Sequence, residues 1–113
     1  MINWHTLNRP EQIQDIIEES KQKPVIIFKH STSCTISATA KGRMERQWND
    51  SELDNVTPYY LDLLSFRPIS NEVAATFGVE HESPQLLLIR DGKCQYDASH
   101  LGIRLDEIKK RIA

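Results

Sequence analysis

Val25-Ile26-Ile27-Phe28-Lys29-His30-Ser31-Thr32-Ser33-Cys34-Thr35-Ile36-Ser37 decides the fold and locates its chemistry. Val25 to Phe28 is an unbroken β-prone run without polar alternation, which a strand buried on both faces requires. Pro24 blocks any helix from continuing into it. Lys29 to Ser33 is a polar connection whose hydroxyls suit a helix N-cap, and Lys29 reads as a solvated side chain with a modest field effect on Cys34. A helix should then run from about Cys34 to Trp48. Ile36, Ala40, Met44 and Trp48 recur at i+4 steps as its buried stripe, with Gly42 costing about 1 kcal/mol inside it.

Working outward, Arg9-Pro10-Glu11 opens an earlier helix. Ile13, Ile16 and Ile17 form its apolar face, and Lys21-Gln22-Lys23 closes it with positive charge. Asn3 to Leu7 forms a short edge strand. Downstream, Pro58 to Phe66 holds a strand centred on Tyr59 to Leu63. Arg67-Pro68 starts a short helix with Ile69, Val73 and Phe77 on one face and Gly78 as its stop. Ser83-Pro84 leads directly into the strand Gln85 to Ile89. Asp91-Gly92 is a strong hairpin signal, Cys94 to Ala98 pairs back, and Arg104 to Ile112 closes the chain as a helix on Leu105, Ile108 and Ile112. The order β-α-β-α-β-α-β-β-α implies two β-α-β crossovers followed by an antiparallel hairpin. That is an α/β fold, a mixed central sheet with helices on both faces. The order resembles the thioredoxin-like fold, with residues 1–113 as a single domain.

The 113 residues carry a net charge of −2, with 39% apolar and 27% charged residues. This balance gives no basic stripe for nucleic acid. No apolar run approaches the roughly 20 residues of a membrane span. The N-terminal residues lack a basic region followed by an apolar one, so no secretory signal is expected and the expected location is cytoplasmic, a reducing compartment. Two cysteines, Cys34 and Cys94, stand 60 residues apart. They make neither a disulfide framework nor, alone, a metal site.

Cys34 follows the buried strand and opens a helix, where unpaired backbone N–H groups and the positive end of the helix dipole favour a thiolate by about 0.3–1 kcal/mol. The backbone of Thr35, Ile36 and Ser37, and the Ser37 hydroxyl, are the expected stabilising groups. In the thioredoxin-like fold, Ser83-Pro84 falls where a cis proline sits beside the nucleophile. Ser37 stands where a dithiol enzyme carries its second cysteine, and a serine cannot resolve a mixed disulfide. Cys94, past the Asp91-Gly92 turn, should lie at the far end of the sheet as a structural residue, beyond the Cα separation of about 7 Å that a disulfide tolerates.

Phe28 through Ala38, with Asp62-Leu63, Arg67 and Ser70-Asn71, and then His81-Glu82-Ser83-Pro84-Gln85, resembles the monothiol bacilliredoxin family, also called the YtxJ family. The likeness covers nearly the whole chain. That family usually reads T-C-P-I-S at the nucleophile, where this chain has Ser33-Cys34-Thr35-Ile36-Ser37. The missing proline leaves the helix start less rigid and adds a Thr35 N–H.

The resemblance implies removal of bacillithiol from bacillithiolated client proteins. Cys34 would attack the bacillithiol sulfur, and a second bacillithiol, a co-substrate rather than a bound cofactor, would free Cys34. Substrate contacts are expected from Ser33, Arg67, Ser83 and Pro84, with Arg67 first for the malate carboxylates because a guanidinium binds carboxylates bidentately. His30 and His100 are weaker candidates. Two other readings stay open. A thiol peroxidase is suggested by Ser31-x-x-Cys34, although the proline expected four residues earlier is missing. A binding module or thiol-stress sensor would be capped at Cys34 without turnover.

Overall fold

Strand β2 (Val25–His30) is buried at every position, as its unbroken apolar run requires. In a computed structural model that describes residues 2–48 and 50–112, β2 is the central strand of a five-stranded sheet. Around it run β1 (His5–Thr6), α1 (Glu11–Glu19), α2 (Thr35–Gln47), α3 (Asp50–Leu53), β3 (Thr57–Asp62), α4 (Arg67–Phe77), β4 (Gln85–Arg90), β5 (Lys93–Ser99), a 3-10 turn (His100–Gly102) and α5 (Leu105–Ile112). The strand order is β1-β3-β2-β4-β5. Strands β1, β3 and β2 are mutually parallel; β4 runs antiparallel to β2, and β5 antiparallel to β4.

The side-chain period of two along β2 divides the core into two layers. Ile26 and Phe28 pack with Ala40, Met44, Leu86, Leu88, Leu105 and Ile108 under α2 and α5. Val25 and Ile27 pack with Ile13, Ile16, Leu61, Ile69, Val73, Leu87 and Ile89 under α1 and α4. Gly78 caps α4 with φ +65°, a left-handed conformation that glycine adopts without steric cost. Asp91 and Gly92 both have positive φ, as the tight β4–β5 hairpin needs.

Several local expectations shift. The strand expected over Pro58 to Phe66 ends at Asp62, and Leu63 to Phe66 turn into α4. Helix α1 stops at Glu19, so Lys21 and Lys23 lie past its last turn, which holds no basic residue. The short helix α3 carries no periodic apolar signal in four residues. Ile36 is 44% exposed. The buried face of α2 is Ser37, Ala40 and Met44, so its stripe starts on a serine rather than on Ile36. Trp48, the C-cap, is partly buried against the layer under α2 and α5. No helix among the described residues is long and apolar enough to cross a membrane.

Candidate functional site

The sheet register brings four segments to one edge. The C-terminal ends of β2 and β3 lie side by side (His30 opposite Asp62), β4 begins beside them (Gln85 opposite Lys29), and β5 ends there (Ser99 opposite Gln85). The loop from β2 delivers Cys34 to this edge as the N-cap of α2, in extended conformation. Cys34 is partly buried. Its N–H donates to the Ser31 carbonyl (3.1 Å), and Ala38 N–H donates to the Cys34 carbonyl (3.1 Å). The amides of Thr35, Ile36 and Ser37 therefore precede the intrahelical ladder. The Cys34 side chain makes no capping hydrogen bond to them.

Ser37 differs from its expected role. It is fully buried, and its hydroxyl accepts the Ser31 N–H (3.0 Å) and bonds His30 Nδ1 (2.6 Å). Burial, and after it the charge of Lys41, lowers the His30 pKa. Ser37 thus ties the loop ahead of Cys34 to the end of β2 instead of turning its hydroxyl to the thiol. His30 itself is buried, with its ring 5.7 Å from Phe28 and 5.6 Å from Tyr60. It lies behind the loop rather than at the ligand surface. Nearby, Asp62 Oδ1 is buried without a hydrogen-bond partner.

Ser83-Pro84 is a cis peptide bond, and Pro84 is buried directly before β4. The His100 N–H donates to the Pro84 carbonyl (3.0 Å). His100 has φ +55°, and its exposed ring lies 3.7 Å from Glu82. Ser33 is exposed in the loop before Cys34, its hydroxyl 3.4 Å from that of Ser31. Arg67 is the exposed first residue of α4. The structure therefore gathers Cys34, Ser33, Ser83, Pro84, His100 and Arg67 on segments of one sheet edge. It places Ser37 and His30 behind that surface.

Cys94 belongs to the opposite edge. It faces Ile89 across the β4–β5 hairpin, four residues along β4 from Gln85, or roughly 13 Å at the usual strand rise. Burial raises its pKa, and its thiol donates to the Tyr96 carbonyl (3.3 Å).

The largest departure concerns Lys29, expected to be solvated. It is fully buried. Its ammonium donates to the Ser70 carbonyl (3.2 Å) and to His81 Nδ1 (3.4 Å), and burial lowers its pKa to about 8. The parity of β2 was the available signal: Val25, Ile27 and Lys29 share one face, so Lys29 follows two core residues inward. Gln85, opposite it, is also buried, with Nε2 donating to the Glu80 carbonyl (2.9 Å).

A free cysteine at a helix N-cap, a cis proline before the antiparallel strand and a mixed sheet between helix layers define a thioredoxin-fold, oxidoreductase-like protein. Comparison with solved structures agrees. A thioredoxin-fold protein assigned as an oxidoreductase is 30% identical, with a TM-score of 0.79 over 93% of this chain and 89% of its own. Thioredoxin from Fasciola hepatica (20% identity, TM-score 0.71, 96% and 99% covered) and from Malassezia sympodialis (16%, 0.74, 99% and 90%) share the fold. Residues 5–108 match the family described as monothiol bacilliredoxin BrxC, and the chain belongs to that family.

Proposed function

We propose that this protein removes bacillithiol from bacillithiolated proteins by monothiol exchange at Cys34. The observation that carries the reading is the fate of Ser37. The position of a resolving thiol is held by a hydroxyl locked between His30 and Ser31, while Cys94 lies at the other edge of the sheet. An intermediate on Cys34 therefore needs a thiol from outside the chain. The Cys34 thiolate attacks the bacillithiol sulfur of the mixed disulfide; the Cys34–bacillithiol bond forms, the original S–S bond breaks, and the client leaves as a thiolate. A second bacillithiol thiolate then attacks the bacillithiol sulfur on Cys34, giving bacillithiol disulfide and restoring Cys34. The first-turn amides of Thr35, Ile36 and Ser37 present the positive end of the α2 dipole to this thiolate.

Arg67 binds the malate carboxylates of bacillithiol, and Ser33, Ser83 and Pro84 flank the incoming disulfide with His100 at the rim. The test is intact mass after oxidation in the presence of bacillithiol. One adduct is expected, on Cys34, removed by added bacillithiol with release of a model client. An adduct that forms but never turns over would leave a sensor, not an exchange enzyme.

A further inference from the structure

Lys29 carries a charge into the interior with no carboxylate within ion-pair distance among the described residues. A core-facing strand position would be filled by an apolar residue at lower cost, so its contacts point to a use. A protonated lysine can only donate. His81 Nδ1 must therefore be the acceptor, and the ring proton sits on Nε2. The Ser70 hydroxyl, 3.4 Å from the same Nδ1, reinforces this tautomer by donating to it. Burial first, then the charges of Lys29 and Arg67, lower the His81 pKa, so the ring stays neutral with its orientation fixed.

His81 is only partly buried. With Nδ1 engaged by Lys29 and Ser70, Nε2–H is left on the other edge of the ring, and Arg67, one turn before Ser70 on α4, is close enough for its charge to act on that ring. His81 lies three residues before the cis Pro84, and Arg67 opens α4 just after the end of β3. Both therefore border the sheet edge that carries Cys34. The groups facing the Lys29 ammonium are Ser70 from α4, His81 from the loop before β4 and Gln85 across the sheet, with Leu61 from β3 apolar. The charge of Arg67 lowers the His81 pKa and that of Glu82 raises it.

We infer that Lys29 is a positioning residue that fixes His81 as an Nε2–H donor, and that His81 and Arg67 together bind the carboxylate of an incoming thiol ligand. The inference rests on the proposed exchange at Cys34 and names the part of the site that prefers anionic disulfides. Neither residue takes part in the S–S chemistry.

The test uses the full chain and one reporter peptide, linked as a mixed disulfide either to mercaptosuccinate, a dicarboxylate, or to uncharged 2-mercaptoethanol. The quantity read is the ratio of the two rate constants for reporter release from pH 6.5 to 9.5, in which ionisation of Cys34 cancels. The wild type should prefer the dicarboxylate at least fivefold near pH 7. That preference should fall as pH rises through about 8, where Lys29 loses its proton. Lys29→Met should lower the preference by no more than His81→Phe does and should remove its pH step. His81→Phe should lower the ratio at least threefold, and His81→Gln, whose amide N–H reaches about as far as Nε2, should recover part of it. An unchanged ratio and pH step in Lys29→Met and His81→Phe would overturn the inference, and so would no preference in the wild type. A wild type that prefers mercaptosuccinate yet fails to turn over a bacillithiol disulfide would sink the proposed function and leave this inference standing.

Discussion

The two ends of β4 hold the same atom type in opposite circumstances. At its first residue, the sheet edge carries Cys34 at a helix N-cap beside the cis Pro84. At its far end, Cys94 is tucked into a hairpin, its thiol bonded to the Tyr96 carbonyl and burial holding its proton on. The chemistry of a cysteine is thus set by which end of one strand it meets. Cys34 meets helix amides that have no intrahelical partner; Cys94 sits at a half-buried ladder position, where a thiol behaves as a small hydrophobe.

The sharpest way to break the comparison is to delete each thiol. Cys34→Ser should lose at least a thousandfold in release of a bacillithiolated client, assayed by reporter thiol appearance. Equal activity in that variant would move the site elsewhere. The edge also differs in stored cost. Lys29 binds its proton less readily folded than unfolded, so the unfolded chain holds more protons between about pH 8 and pH 10.5. The Lys29 contribution to stability should therefore rise with pH across that window, by roughly 3 kcal/mol in full, opposed toward its upper end by Cys94 and Tyr59, whose raised pKa values act with the opposite sign. Lys29→Met should flatten the rise, as read by urea unfolding at pH 7 and pH 10; a rise of the same size in the variant would assign it to other groups.

Ser37→Ala removes the acceptor of the Ser31 N–H and the partner of His30 and should cost about 1–3 kcal/mol, measured by the shift of the urea midpoint. A cost near zero would mean that the loop before Cys34 is held by other contacts. The smallest effect belongs to the hairpin end. Cys94→Ser keeps a donor for the Tyr96 carbonyl and should change the exchange rate less than twofold. A larger loss would couple the two ends.

The strand and helix order was legible because β2 and β4 are unbroken apolar runs and because Pro24, Gly78 and Asp91-Gly92 punctuate the chain where the backbone turns. The position of Cys34 and the cis Ser83-Pro84 bond followed from that order. What the residues alone did not disclose was the direction of polar side chains. Lys29 and His30 are consecutive, and both read as polar loop or strand-end residues. Yet β2 continues through them and sends them into opposite layers, one toward Ser70 and His81, the other toward Ser37 and Tyr60. Ile36 failed for the matching reason. Its i+4 spacing with Ala40 was real, but the first turn of α2 projects it beyond the core.

The rings behind the site have an optical consequence. His30 stands against Phe28 and Tyr60, and Trp4 stacks on Phe28 at 5.8 Å and meets Tyr60 edge-on at 6.0 Å. The indole thereby ends a chain of aromatic contacts that starts one hydrogen bond from Ser37. With the other tryptophan replaced in Trp48→Phe, emission from Trp4 reads the state of this aromatic layer behind the loop that carries Cys34, without a dye.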